Sequence, residues 1–145
     1  SRMERERLKS EERHKNVKLG NGGLSDIEFL VQLHQLKSGH AIPELRVSNT
    51  IAALRQMGRY GILPEPDAER LCKTYNHLRS VRNRLTLQGS SVSDNIPGDL
   101  NKLRSLAISS GFLDSGNERA EDLFLQTLQQ QMQEARRSFE RWFVH

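Results

Sequence analysis

The sequence has few of the features that mark several large protein classes. It contains one cysteine, Cys72, so no disulfide can form within the chain, and a reducing compartment is permitted. No stretch reaches the ~18 to 20 consecutive apolar residues of a membrane-spanning helix. The first sixteen residues are rich in charge, unlike a signal peptide. We therefore expect a cytoplasmic protein in which Cys72 is a small buried hydrophobic residue.

Patterns that carry catalysis or bind metal ions are also missing. The five histidines are scattered, with no HExxH pair and no cysteine at zinc-ligand spacing. There is no GxSxG turn and no Walker loop for a nucleotide. The sequence therefore predicts no catalytic residue and no metal site within this chain.

The net charge of +4 and the isoelectric point near 9.6 raise the question of nucleic-acid binding. Acidic and basic residues are mostly interspersed, and the one local basic run is Arg79, Arg82 and Arg84. No known nucleic-acid module is recognisable. The sequence argues against nucleic acid as a partner, although a helical bundle that binds it through these arginines stays an alternative.

Apolar residues recur at spacings of three and four through nearly the whole chain, which is typical of amphipathic helices. No alternating strand pattern is left over. Such helices with short connections predict an all-α fold, an antiparallel bundle of about five or six helices. Residues 1–16 are expected to form a connector helix and residues 17–145 the bundle, with the long helix 67–88 as its spine. The predicted helices cover residues 3–15, 25–39, 49–61, 67–88, 99–111 and 119–143.

Helix starts are predicted from residues that can cap the first turn. Asn49 and Asp99 precede two of the helices and can accept their first N–H groups. Ser25, with Glu28 three residues later, matches a capping box for the helix that follows the glycine-rich loop. That helix is expected to bury Ile27, Leu30, Val31 and Leu36.

The segment from Lys18 to Glu28 is the most unusual in the chain. Gly20, Gly22 and Gly23 form a loop before a helix start, where backbone N–H groups and a partial positive charge suit a phosphate or a carboxylate. Alternatively, the loop is a tight interdomain turn in which Asp26 and Glu28 favour the helix dipole. These two carboxylates lie about 200° apart around a helix, which argues against one shared Mg²⁺ ion.

At this loop the sequence resembles the glutamine synthetase adenylyltransferases, which carry a segment of the form K-x-G-x-G-G-L-x-D-I-E-F-x-V-Q. Asn21 stands where the family usually has proline, and Arg82 where glutamate is common. The resemblance is good from Val17 to about Leu87. It rests on Lys18, Gly20, Gly22, Gly23, Leu24, Asp26, Ile27, Glu28, Phe29, Val31 and Gln32, and continues in Leu45-Arg46-x-x-x-Thr50-x-x-Ala53-Leu54, Gly61-x-Leu63 and Tyr75-x-x-Leu78-Arg79-x-x-x-Asn83-Arg84-Leu85.

The resemblance implies that the chain is the helical partner of an upstream nucleotidyltransferase domain, as in the related uridylyltransferases. It implies a parent enzyme that uses ATP and Mg²⁺ to transfer AMP to a tyrosine of glutamine synthetase, or that removes this AMP, under the control of nitrogen status. The form of the motif favours the adenylylating half. The chain has no Gly-Ser pair followed by an Asp-x-Asp of the sort that holds Mg²⁺ in nucleotidyl transfer, so we expect it to be inactive alone.

Two hypotheses for its role follow. In the first, the bundle packs on the nucleotidyltransferase domain, where Lys18, Gly20, Gly22, Gly23, Asp26 and Glu28 lie near the nucleotide or between the domains. In the second, the chain is a protein-interaction module that binds glutamine synthetase or a nitrogen-status signalling protein and contributes nothing to the active site. Candidate partner-binding residues are Arg46, Arg79, Arg82 and Arg84.

Overall fold

A computed structural model describes residues 16–89 and 94–143, and in these ranges the chain is helical without β-strands, which confirms the predicted all-α class. The connector helix predicted for residues 1–16 lies almost entirely outside the described residues. None of the described helices is long and apolar enough to cross a bilayer. The helices are α1 (Leu24–Ser38), α2 (Thr50–Arg59), α3 (Glu65–Gln88), α4 (Leu100–Ser109) and α5 (Ala120–Phe143), and a 3-10 turn (Pro43–Leu45) follows α1.

Helix α3 is the spine of the bundle, as its length and apolar stripe predict. It packs against each of the other four helices, and α5 packs against α1, α3 and α4. Helix α3 begins at Glu65, two residues before the predicted start, because Pro66 lies in its first turn, where proline needs no N–H partner.

The core draws on all five helices and on the loop before α1. Phe124 of α5 and Leu78 of α3 are fully buried, and so is Val17 of the loop. Burial of each large apolar side chain contributes about 1.5 to 3 kcal/mol, so this shared core holds the helices together. Cys72 belongs to it, and burial raises the pKa of its thiol. The expectation of a buried Cys72 is confirmed, and its thiol stays protonated at neutral pH.

Two of the three predicted helix caps are confirmed. The Asn49 side chain accepts the Ala52 N–H at 2.9 Å, and Asp99 accepts the Asn101 N–H at 2.8 Å. The Ser25 cap is wrong, because α1 begins at Leu24 with Gly23 as its N-cap and without a capping side chain. The preceding loop folds back, so that the Ser25 N–H donates to the Lys18 carbonyl at 3.0 Å.

The predicted apolar stripe of α1 is wrong at one position. Leu36 is 83% exposed, whereas His34 is 6% exposed and lies inside. The His34 Nε2 donates to the Trp142 carbonyl at 2.9 Å, so this buried imidazole has a partner at the end of α5. Burial lowers the pKa of His34 and outweighs the opposing effect of that hydrogen bond.

Candidate functional site

The loop before α1, residues 16–23, is fastened at its first residue. The Asn16 side chain accepts the Lys18 N–H at 3.0 Å and the Leu19 N–H at 2.7 Å, which forms an Asx turn. Asn16 also pairs with Asn95 across a β-bridge, and the Asn16 Nδ2 donates to the Asn95 Oδ1 at 2.9 Å. An asparagine before a glycine-rich turn signals such an Asx turn, and our sequence reasoning missed it.

Gly22 brings the loop backbone directly against α5. Its φ of +76° lies in the left-handed region, and a Cβ placed on it would be 1.8 Å from the Met132 carbonyl oxygen. Gly23 is also confined, because a Cβ there would approach the Val17 carbonyl oxygen to 2.7 Å. These two positions therefore require glycine for close packing and need no ligand to explain them.

Asp26 ties the loop to α1 and α5. Its Oδ2 accepts the Gly22 N–H at 2.6 Å and an Arg136 guanidinium N–H at 2.9 Å. Partial burial acts to lower the pKa of Arg136, but the hydrogen bonds to Asp26 and Glu140 outweigh it and raise that pKa. Arg136 stays charged, so Asp26 has a permanent counter-ion. Arg136 was missed because no local pattern links it to a loop 110 residues earlier.

Most N–H groups of the glycine-rich segment are engaged within the protein. Gly20 donates to the Asn16 carbonyl and Gly23 to the Gly20 carbonyl, each at 2.9 Å. The Leu24 N–H donates to the Val17 carbonyl at the same distance. A phosphate cradled by this backbone would have to displace these hydrogen bonds. Side chains, rather than the glycine backbone, are therefore the groups free to contact a ligand.

Several side chains of this region are accessible, and four of them could contact another domain. Leu19 is 72% exposed and Phe29 is 54% exposed. Lys18 and Glu28 are partly exposed, and neither forms an ion pair with a residue in the described part of the chain. We call Lys18, Leu19, Glu28 and Phe29 the outward set. It combines one cation, one carboxylate and two apolar groups, a mixture that fits the polar character of interdomain contacts.

The acidic residues of this region are poorly arranged for a metal ion. Asp26 already accepts two hydrogen bonds, and Glu28 lies about 200° away around α1. Over residues 16–89 and 94–143 no three His, Cys, Asp or Glu side chains cluster as metal ligands would. The described residues therefore do not fit a Mg²⁺ site.

The four candidate partner-binding arginines lie at different places. The Arg46 Nε donates to the Gly39 carbonyl at 2.8 Å, at the carboxyl end of α1. The Arg82 Nε binds Asp94 at 2.6 Å and holds the segment that pairs with the loop. Arg79 and Arg84 both line a shallow cavity on α3. Only this last pair is brought together on one open surface.

Comparison with known proteins shows similarity to one family of sequences over nearly the whole chain. A family model described as GlnD PII-uridylyltransferase matches residues 1–143. The bifunctional glutamine synthetase adenylyltransferase/adenylyl-removing enzyme of Mycobacterium leprae is 35% identical over 120 residues, which are 81% of this chain and 12% of that protein.

Other relatives carry the same name. The protein of Bartonella henselae is 37% identical over 102 residues, 70% of this chain and 10% of its own length. The protein of Methylococcus capsulatus is 32% identical over 138 residues, 89% of this chain and 15% of its own length. The chain thus spans 10% to 15% of the length of these relatives, and it is similar to a small part of each.

Proposed function

The chain belongs to the GlnD PII-uridylyltransferase family, and from that premise we propose that it is the helical accessory domain of an enzyme that attaches AMP to glutamine synthetase or removes it. In this proposal the bundle packs on an upstream nucleotidyltransferase domain, helps to complete the nucleotide site and positions the protein substrate. A tyrosine side chain of glutamine synthetase receives the AMP. The names of the relatives support the substrate, and the loop before α1 supports the packing role.

The proposal rests on a difference among residues 18–29: some contact α5, and others face outward. Gly22 and Asp26 are committed to the contact with α5, which fixes the backbone of the loop. The outward set is left without partners in the described protein. A rigid loop that presents Lys18 and Leu19, followed by a helix that presents Phe29, is suited to the surface of a neighbouring domain.

Lys18 is the residue we assign to the nucleotide. Its side chain can reach a phosphate as a point charge, whereas the backbone N–H groups around it are already bonded to the loop. Leu19 and Phe29 would bury apolar surface between the domains, and Glu28 would orient basic side chains across the contact. In this proposal Gly20, Gly22, Gly23 and Asp26 maintain the shape of the interdomain loop.

ATP and Mg²⁺ belong to the nucleotidyltransferase domain in this proposal. The ions would neutralise the phosphates of ATP during AMP transfer. The engaged carboxylate of Asp26 supports this assignment, because it would have to give up Arg136 to coordinate a cation. We expect the chain alone to transfer no AMP.

The test is AMP transfer from labelled ATP to purified glutamine synthetase by the chain alone and by its full-length parent. The parent is also assayed with Lys18→Ala and with Lys37→Ala, a matched control at an exposed lysine in the last turn of α1. A lost charge-assisted contact is worth about 1.5 to 3 kcal/mol, which corresponds to a rate lower by about 10- to 150-fold. We expect that loss for Lys18→Ala and less than a twofold change for Lys37→Ala.

Each other outcome identifies a different error. AMP transfer by the chain alone would refute the accessory role. Normal kinetics in the Lys18→Ala parent would reduce the loop to a structural hinge. Capture of glutamine synthetase by the chain alone, with normal kinetics in the Lys18→Ala parent, would favour the alternative of a pure protein-interaction module.

A further inference from the structure

The surface of α3 carries a positively charged groove, and the role proposed for the loop before α1 gives this groove no function. Two cavities, of about 670 Å³ and about 430 Å³, lie along this helix and share Asn76. The larger one is completed by Arg55 and Arg59 of α2, and the smaller one extends to Leu87. Together they form one open depression along α3, which we call the α3 groove.

The sequence beneath the groove has no acidic residue over a long stretch. Residues 70–93 contain five basic residues and no aspartate or glutamate, although the chain has 18 acidic residues in all. An ordinary solvated helix alternates charges at spacings of three and four residues, because such pairs stabilise it. Arg70 pairs with Asp67 and Arg82 pairs with Asp94. The positive charge that has no ion pair within the described residues is therefore that of Lys73, Arg79 and Arg84.

The cations of the groove also lack acidic partners from other elements. Arg79 stacks over the Tyr75 ring at 5.9 Å, and the Arg84 Nε donates to the neutral Ser109 carbonyl at 2.9 Å. Across the described ranges neither residue forms an ion pair, and the same is true of Lys73. Arg84 is held in place while its charge remains unneutralised.

Along α3 the groove has a neutral floor between cationic walls, and this floor is polar except at the exposed Leu87. At 100° per residue, Asn76, Ser80 and Asn83 fall within about 60° of one another on the helix surface. Arg79 lies on one side of this stripe, and Lys73 and Arg84 lie on the other. Amide and hydroxyl groups can bond to the backbone of a bound chain, while the flanking cations select its acidic side chains.

From this geometry we propose that the α3 groove binds an extended acidic segment of a partner protein, with its backbone over Asn76 and Asn83 and its carboxylates on Lys73, Arg79 and Arg84. These residues span about 16 Å along the helix, enough for about five residues in extended conformation. Glu65 and Glu69 line the other end of the groove and limit the acidic segment to this half. The proposal is independent of the role assigned to the loop.

Nucleic acid is the competing occupant, and the side chains favour protein. Binding of single-stranded nucleic acid relies on exposed aromatic rings on which bases stack. The cavity between Asn76 and Leu87 has no aromatic lining, and the nearby Tyr75 is buried beneath Arg79. Amides and unpaired cations without stacking platforms match a carboxylate-rich peptide.

The test measures fluorescence anisotropy of a labelled peptide in which glutamate alternates with glycine, titrated with the full chain. The double variant Lys73→Glu/Arg79→Glu reverses the charge of one residue on each side of the groove. Lys37→Glu/Lys102→Glu changes the net charge equally at two exposed lysines outside it. We expect binding by the wild type, at least a tenfold loss of affinity in the groove variant and less than a twofold change in the control.

Two further measurements locate the contact and identify the occupant. The side-chain amide NMR signals of Asn76 and Asn83 should shift on addition of the glutamate peptide, and circular dichroism should show that both variants are folded. Equal losses in the two variants, absent shifts of both asparagines, or no binding by the wild type would overturn the proposal. Tighter binding of an oligothymidylate of equal charge would assign the groove to nucleic acid instead.

Discussion

At the residue scale, Gly22 is the position where the backbone geometry permits least change. Replacing it by alanine combines a left-handed φ with a collision against the α5 backbone, because the Met132 carbonyl oxygen cannot move aside like a side-chain end. Gly61 is a matched control, since its φ is +71° and no atom lies within 4 Å of a Cβ built there. The difference between the two variants therefore isolates the collision.

We predict that Gly61→Ala lowers the free energy of unfolding by about 1 to 2 kcal/mol through backbone strain alone. Gly22→Ala should cost a further 1 to 3 kcal/mol or so, the usual penalty for forcing extra atoms into a packed site. Urea unfolding of both variants measures these values. Equal losses would mean that the loop can lift away from α5 without cost.

His34 makes stability depend on pH. Its pKa is lowered in the folded protein, so the unfolded chain binds a proton more readily near the ordinary value of 6.5. The stabilisation is complete above that pH and is lost as the pH falls below it, by at most about 1.4 kcal/mol per pH unit. His34→Gln should flatten the dependence of unfolding on pH between 7.5 and 5.5. The exposed His40→Gln should retain it, and retention in both variants would exclude His34.

Some contacts of single residues were predictable from the sequence, and others were not. Asn49 and Asp99 were predictable because a cap bonds to N–H groups two or three residues away. Ser25 satisfies the same local rule, yet a loop held by Asn16 had already supplied acceptors for the first turn of α1. Arg136 had no local signal, because its role depends on how α5 meets the loop.

At the element scale, the junction before α5 depends on one carboxylate. Asp114 accepts the Ala120 N–H, the first of α5, at 2.8 Å and also pairs with Arg104 of α4 at 2.8 Å. The hydrogen bonds from Arg104 and from Ala120 hold the pKa of Asp114 well below its usual range. Asp114 therefore joins α4 to the start of α5.

Asp114→Ala should lower the melting temperature more than Asp122→Ala does. Both changes remove a carboxylate near the start of α5, but Asp122 is exposed in the first turn and makes no ion pair with another residue of the described chain. Thermal unfolding followed by circular dichroism at pH 7 compares the two. Similar melting temperatures for both variants would mean that α5 needs no side-chain cap.

The elements themselves were largely predictable, since helix periodicity does not depend on distant partners. The bounds of α2, α4 and α5 lie within about two residues of those expected. The inward face of α1 was less predictable at its end. There His34 is buried and donates to the Trp142 carbonyl, a distant partner that no local pattern indicates, and Leu36 faces outward.

At the scale of the whole molecule, the sequence indicated the fold class, the family and the spine helix, but not the distribution of function over the surface. The arginines at positions 79, 82 and 84 form one run in the sequence. In the fold Arg82 turns to Asp94, whereas Arg79 and Arg84 face the α3 groove. Which residues share a surface depends on the packing of α2 and α4 against α3, which no local pattern encodes.

The contact between Asp26 and Arg136 also has a consequence for how the protein is made. The two residues are 110 positions apart, and a ribosome adding about 5 to 20 residues per second needs roughly 5 to 20 s to cover that distance. During this interval α1 has emerged without α5, so the apolar side of α1 is not yet covered by that helix. The apolar side of α1 is therefore exposed to aggregation and chaperone binding until α5 has left the ribosome.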